Sequence, residues 1–378
     1  MKKLVYLINV DWYFRLHWIE RALAAKESGY EVTVISNFTD PNNIAELESL
    51  GLKTIHVNID RSGLNVIKEF YSLLRINQAI DRIKPDILHT VTAKSIVYGG
   101  ISSILKQIPL VCSVTGLGHI FSNNSIKTKL LRFLLERIYR YISHHSRCLF
   151  LFENNDDLEY FVKRKFLTNK NTMRIFGSGV DCDLYYQKPE LDTQKIVILC
   201  AARLLKDKGI IRLVEISKQM QKMGLSFEMH IAGIIDNENP NSISPKYLEE
   251  CHQKGWIKWL GQIDDMPLQI SKSHIAILPT TYSEGIPRFL IEAAACGRPI
   301  VTSNVAGCNE IVKHKRNGIL ADANDNQQFV EALSKLITSS SLRKKYGDYG
   351  RNLVLEKYSH KKIIEQTLGV YINLNKEN

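Results

Sequence analysis

Short apolar runs rich in valine and isoleucine alternate with longer amphipathic stretches from the first residues onward. This is the pattern of βαβ units that build a parallel sheet. In the first half the pattern predicts strands at 4–9, 31–36, 53–59, 86–91, 109–114 and 147–153. After the polar stretch Lys188-Pro189-Glu190 a second series follows, at 196–202, 227–233, 256–260, 274–279, 299–303 and 317–320. The expectation is an α/β chain of two Rossmann-like, doubly wound parallel-sheet domains, 1–187 and 188–358, with ligands at the carboxyl ends of the strands in a central cleft. A long charged helix from about Ser340 to Tyr358 ends the second series, and the tail 359–378 has a further apolar pattern in Ile363, Ile364, Leu368 and Tyr371.

Length supports this division, since 378 residues suit two domains better than one or three. The seven cysteines are scattered, with no CxxC pair and no histidine at zinc-finger spacing, which reads as reduced thiols in the cytoplasm. The apolar run at Leu4 to Ile8 is cut short by Asn9 and Asp11, so it reads as a buried first strand and not as a signal peptide. No run of about eighteen apolar residues occurs, so any membrane role is expected to be peripheral. The formal charge of +11 points to polyanionic surroundings: nucleic acid, an anionic membrane face or phosphorylated substrates.

The most informative stretch runs from Tyr282 to Pro299. It follows a predicted strand, with Pro287 where a first helical residue is expected and Gly297 where the helix should stop. A helix start of this kind offers backbone N–H groups and a positive dipole end to phosphate or sugar oxygens, here around Gly285, Ile286, Arg288, Phe289 and Leu290. Glu284 lies in the loop and Glu292 about a turn and a half into the helix, so two carboxylates bracket one site. A carboxylate accepts two hydrogen bonds from a vicinal diol, the role that suits Glu292, while Glu284 beside Gly285 would face a sugar. The plain alternative is a helix with one capping acid and one surface glutamate.

A second cluster, Ala201 to Gly209, leaves the first strand of the second series. Arg203 and Lys208 there would stand at the carboxyl end of that strand, where two cations could neutralise a diphosphate and do the work of a divalent metal. Solvated surface charge is the alternative.

These two clusters, in this order and about 80 residues apart, resemble glycosyltransferase family 4, of GT-B fold, whose hallmark is a pair of glutamates with seven residues between, here Glu284 and Glu292. The likeness extends over nearly the whole chain. Gly177 to Asp181 is similar to the segment before the family's interdomain crossover, and Val305 to Glu310 to the turn after its next strand. The resemblance implies a metal-independent, cofactor-free transferase that retains anomeric configuration and uses a UDP-sugar. Glu292 would bind the ribose, Glu284 the donor sugar, and Arg203 and Lys208 the diphosphate. Backbone contacts near Gly233 and Ile263 would select the base, and the tail would cross back onto the first domain.

Thr115-Gly116-Leu117-Gly118-His119, Ser62 to Asn65 and Arg15 to Trp18 resemble members that extend polyprenyl-diphosphate-linked glycans, in O-antigen or capsule assembly. That places Gly116 and His119 near the donor sugar, and Arg15 and His17 on the acceptor. The loop after the first strand, Asn9 to Phe14, departs from the family by lacking glycines. The segment from Lys127 to Arg147 alternates aliphatic or aromatic residues with Lys and Arg at helical spacing, as an interfacial helix on an anionic membrane surface would. The cytoplasmic face of an inner membrane is the expected location; a core helix with a basic face is the alternative. A UDP-sugar 2-epimerase of the same fold is the rival enzyme. Nucleic-acid binding is disfavoured by dispersed charge and the lack of any helix-turn-helix, RNA-recognition or zinc signature. A dehydrogenase is disfavoured because no GxGxxG follows a predicted strand.

Overall fold

A computed structural model describes residues 1–60, 65–116, 125–236, 239 and 241–376. Two units divide the chain, Met1–Ser178 with Lys361–Asn378, and Gly179–His360.

In unit 1 the elements are β1 (Lys2–Ile8), α1 (Asp11–His17), α2 (Ile19–Glu27), β2 (Tyr30–Ser36), α3 (Pro41–Ser49), β3 (Lys53–His56), α4 (Val66–Ile83), β4 (Ile87–Val91), α5 (Ala93–Lys106), β5 (Leu110–Val114), α6 (Ile126–Ile142), β6 (Cys148–Phe152), α7 (Asn155–Lys163) and β7 (Thr172–Arg174). Unit 2 contains β8 (Ile196–Ala201), α8 (Ile210–Lys222), β9 (Phe227–Ala232), α9 (Pro245–Gln253), β10 (Lys258–Gly261), α10 (Met266–Ser271), β11 (Ile275–Leu278), α11 (Arg288–Ala295), β12 (Ile300–Ser303), α12 (Cys308–Ile311), β13 (Gly318–Ala321), α13 (Asn326–Thr338) and α14 (Ser340–Leu353), which runs on as one π turn, Val354–Tyr358. The last helix, α15 (His360–Lys376), carries the chain back into unit 1.

Both sheets are parallel, in the orders β3-β2-β1-β4-β5-β6-β7 and β10-β9-β8-β11-β12-β13. All twelve strands read from the sequence are present. The seventh strand of unit 1, Thr172–Arg174, gave no signal because it is a half-buried edge strand of three residues, two of them polar. Strands buried on both faces need no alternation, which is why β4 and β5 are buried along their whole length.

Alternate residues of β1 build two cores. Val5 and Leu7 pack with Ile76 and Ile80 of α4, Ile96 of α5 and Tyr139 of α6. Leu4, Tyr6 and Ile8 pack with Phe14, Trp18 and Ala22, and with Ile363, Val370 and Tyr371 of α15. The Tyr371 hydroxyl lies 2.7 Å from that of Tyr6 and 2.6 Å from Nδ1 of His89, whose Nε2 lies 2.8 Å from the Ser113 hydroxyl.

The break between units falls after Ser178, nine residues before the polar stretch that suggested it. Val180 donates its N–H to Tyr358 O at 3.0 Å and accepts from His360 N at 2.9 Å, and the Tyr185 carbonyl accepts from Arg351. Residues 179–187 are thus bound into unit 2. Lys188 to Glu190 mark a surface stretch, not the crossing.

Two helices of unit 1 carry an apolar stripe that the core does not use. On α4, Ile67, Phe70, Tyr71 and Leu74 are exposed at i, i+3, i+4 and i+7. On α6, Ile126, Leu130, Phe133, Leu134 and Tyr141 are exposed in the same way, with Lys129, Arg132, Arg137 and Arg140 beside them.

Candidate active site

Strand order in unit 2 reverses between β8 and β11, the place where open α/β sheets bind ligands. The loops that leave these two strands are tied together. The Asp207 carbonyl accepts from Thr281 N at 2.8 Å and from the Thr280 hydroxyl at 3.1 Å. A third loop, after β12, supports them from below: Ala306 O accepts from Glu284 N at 3.3 Å. Gly307 has φ +85°, and a Cβ there would overlap the Gly285 carbonyl. Glycine is needed because the two backbones are in contact. Gly233 has φ +149° beside the Ala202 carbonyl for the same reason.

Within this frame three cations meet three carboxylates. Lys208 donates to Glu284, and its ammonium lies 5.3 Å over the Tyr282 ring. Arg203 Nη1 donates to Asp236 Oδ2 at 3.2 Å. Arg288 Nε donates to Glu292 Oε1 at 2.7 Å, one turn along α11. Lys208 is 8% exposed and Glu292 7%, whereas the Arg203 side chain is a third exposed.

Burial alone would lower the pKa of Lys208, but the charge of Glu284 and the nearby Tyr282 outweigh it and the net shift is upward. Arg288 is likewise lowered by burial and raised further by Glu292, for a net rise. Tyr185, which follows the entry into unit 2, is raised by burial and then by Glu292. Positive charge is therefore held firmly in this part of the sheet.

Helix α11 starts and stops for local reasons. Pro287 is the residue preceding the helix, where its lack of an N–H costs nothing, and not the first helical residue. At the other end Gly297 (φ +67°) donates to Ala294 O at 3.0 Å and Arg298 to Ala293 O at 2.9 Å, a Schellman ending. The Leu290 amide already donates to Pro287 O at 3.0 Å, so of the N–H groups expected at this end it is turned into the helix. Gly285, Ile286 and Phe289 are buried beside it. Ile263 is half-buried just past β10.

The other sequence-derived candidates lie in unit 1. Gly116 takes φ +112° past the end of β5. Arg15 is exposed on α1 and pairs with Glu46 at 2.6 Å, while His17 packs on Tyr13 with ring centroids 4.4 Å apart. His119 and the segment Ser62 to Leu64 lie outside the described residues.

Comparison with known proteins decides the identity. The model described as "Glycosyl transferases group 1" matches residues 183–353 and that described as "Glycosyl transferase 4-like" matches residues 3–150. An uncharacterized glycosyltransferase of Haemophilus influenzae is 30% identical over 354 residues, 93% of this chain and 94% of the relative. The chain is a family 4 glycosyltransferase.

An N,N'-diacetylbacillosaminyl-diphospho-undecaprenol alpha-1,3-N-acetylgalactosaminyltransferase of Campylobacter jejuni is 26% identical to it over 371 residues, covering 92% of this chain and 94% of that one. Among solved structures, Anabaena HepE in complex with UDP and glucose superposes with a TM-score of 0.80 at 18% identity, over 99% of this chain and 100% of that one. The GT-B fold of this glycosyltransferase is thereby shown.

Several residues that shape this candidate site carry no local signal in the sequence. Asp207 acts through its backbone carbonyl, and its carboxylate accepts from Asn241 at 2.8 Å. Asp236 comes from the loop after β9 and meets Arg203 only through the sheet. Gly307 was recognisable as a turn residue, but its contact with Gly285 joins positions with no local sequence relation. A groove between the starts of α8 and α13, lined by Lys206, Arg212, Asp322 and Asp325 among others, includes none of the predicted donor residues.

Proposed function

We propose that this glycosyltransferase moves a hexose or N-acetylhexosamine from a UDP-sugar to a polyprenyl-diphosphate-linked saccharide, with retention of configuration and without a metal ion. The observation that carries the reading is the gathering of Arg203, Lys208, Glu284 and Glu292 at the β8/β11 reversal. An ammonium has three N–H donors, so Lys208 can hold Glu284 and still reach a phosphate oxygen. The HepE complex with UDP and glucose and the Campylobacter enzyme named for a diphospho-undecaprenol acceptor support donor and acceptor class respectively.

In this mechanism the bond from the anomeric carbon to the donor phosphate oxygen breaks while the acceptor oxygen bonds to the same face. The acceptor proton passes to the departing phosphate oxygen, giving UDP and the extended acceptor. Arg203 and Lys208 stabilise the charge that develops on the diphosphate. Glu292 holds the ribose hydroxyls and Glu284 orients the sugar.

The same reading seats the enzyme on the anionic cytoplasmic leaflet. No described helix is long and apolar enough to cross a membrane, and the exposed stripes of α4 and α6, with Lys129, Arg132, Arg137 and Arg140 on α6, suit shallow insertion among acidic headgroups.

UDP release from a panel of UDP-sugars, with and without a polyprenyl-diphosphate-saccharide and in excess EDTA, tests the proposal. Acceptor-dependent release that survives chelation and is lost in Glu292→Ala is expected. Conversion of one UDP-sugar into another without an acceptor would replace the transferase with an epimerase, although the relatives above are named as transferases.

A further inference from the structure

Unit 1 has its own point of strand reversal, between β1 and β4. Two helices start there. One is α1, seven residues long and headed by Asp11. The Asp11 carboxylate is buried and fully engaged: it accepts from Thr39 N at 3.0 Å, the Thr39 hydroxyl at 2.8 Å, Asp40 N at 3.2 Å and Asn43 Nδ2 at 2.9 Å. A carboxylate in that position repels anions.

The other is α5, fourteen residues long, which begins directly after β4. Its N-cap, Thr92, makes no side-chain capping bond. Ser95, in the first turn, is fully buried, and its hydroxyl has no hydrogen-bond partner among the described residues. Helical side chains lean toward the N-terminus, so the Ser95 side chain leans back toward the start of α5. The Thr92 hydroxyl is likewise unpartnered. A native fold seldom leaves such groups unmatched.

Two more facts fix the position of this turn. Thr92 has φ 76° and ψ 159°, a backbone state that only glycine enters readily, and residues held so gather at functional sites. Helix α5 also lies flat on the sheet, because a Cβ at Gly99 would overlap the Thr90 methyl. Lys94 is drawn aside to the Asp60 carbonyl at 2.6 Å and to Glu69 at 2.7 Å, where it offsets the charge of Glu69. Thr92, Ala93 and Lys94 are half-buried, so the outer side of the turn is open.

We propose that the first turn of α5, Thr92 to Ser95, is a phosphate site that holds the diphosphate of the lipid-linked acceptor. Amides at a helix start and two hydroxyls are the donors that phosphate oxygens take. Assignment to the acceptor rests on the function proposed above; assignment to a phosphate does not.

Inorganic diphosphate is the probe, titrated calorimetrically into the full chain and used as an inhibitor of transfer to a short-chain prenyl-diphosphate saccharide. Competition with the acceptor is expected, in addition to competition with the UDP-sugar at Arg203 and Lys208. Ser95→Ala and the shape-conserving Thr92→Val should each weaken diphosphate binding and raise the acceptor KM about five- to tenfold, the loss of one charge-assisted bond, with donor KM and thermal unfolding unchanged. Absence of diphosphate binding, or binding that neither variant alters, overturns the site. Competition with the donor alone overturns the acceptor assignment. If no acceptor is glycosylated but diphosphate still binds and is lost in the variants, the transferase reading falls and the phosphate site stands.

Discussion

At the β8/β11 reversal of unit 2 stand three ion pairs, Lys208 with Glu284, Arg203 with Asp236 and Arg288 with Glu292. At the β1/β4 reversal of unit 1 stand Asp11, already saturated, and a turn of two hydroxyls on a strained backbone. One sheet offers charge that ligands can share; the other offers backbone amides and small neutral donors. The same topology thus carries two chemically different strand-reversal points, which on the function proposed above would serve two substrates, one defined by its nucleotide and one by its lipid anchor.

The largest effect that separates them should come from Glu292→Ala. In the proposed mechanism it removes the acceptor of the ribose diol, and it takes one carboxylate partner from Arg288, so kcat/KM for the UDP-sugar should fall roughly a hundredfold, about 3 kcal/mol, with acceptor KM little changed. Steady-state kinetics with each substrate varied in turn would show it. An equal rise in acceptor KM would erase the contrast between the two reversals.

A smaller effect is expected from Gly307→Ala. The added methyl strikes the Gly285 carbonyl and the backbone stays at positive φ, a cost of about 2 kcal/mol that also displaces Glu284. Gly29→Ala in unit 1 is the control, since φ is +91° there but nothing lies within reach of the new Cβ. Calorimetric unfolding together with activity should show both variants destabilised and only Gly307→Ala inactive.

The third difference is one of pH. Burial, and then the charge of Arg21, hold the pKa of His89 well below the ordinary value of 6.5. Folded unit 1 keeps it neutral while the unfolded chain takes up a proton, so stability is full above about pH 6.5 and falls as pH drops below it. The His89 share of the slope is up to about 1.4 kcal/mol per pH unit. Urea unfolding followed by the fluorescence of Trp18, whose ring packs 5.0 Å from His89, should show this slope and its reduction in His89→Gln. An unchanged slope would shift the effect to another group, such as His145, whose pKa burial also lowers.

Legibility in the sequence followed the same contrast. Strands such as Leu110–Val114 announce themselves because both faces are buried, and Thr172–Arg174 does not because it is short and only half-buried. Glu284, Glu292, Arg203 and Lys208 stood out as charges beside Gly and Pro signals at strand ends. Thr92 and Ser95 did not, since a threonine and a serine at a helix start are ordinary until the backbone angle and the unmatched hydroxyls are seen. Asp236 and Gly307 depend on pairings across the sheet, which no local pattern encodes. The α4 stripe was masked by the core-facing stripe beside it; only burial tells the two apart.

Helix α15 adds a constraint on biosynthesis. Tyr371 and Tyr6 are 365 residues apart in the chain, and unit 2 is made in between. At about 5–20 residues per second a ribosome needs roughly 20–70 s to cover that interval. During that time the apolar wall formed by Leu4, Tyr6 and Phe14 lacks its cover of Ile363, Val370 and Tyr371. The first unit begun is therefore the last one finished, and until then its apolar wall stays uncovered.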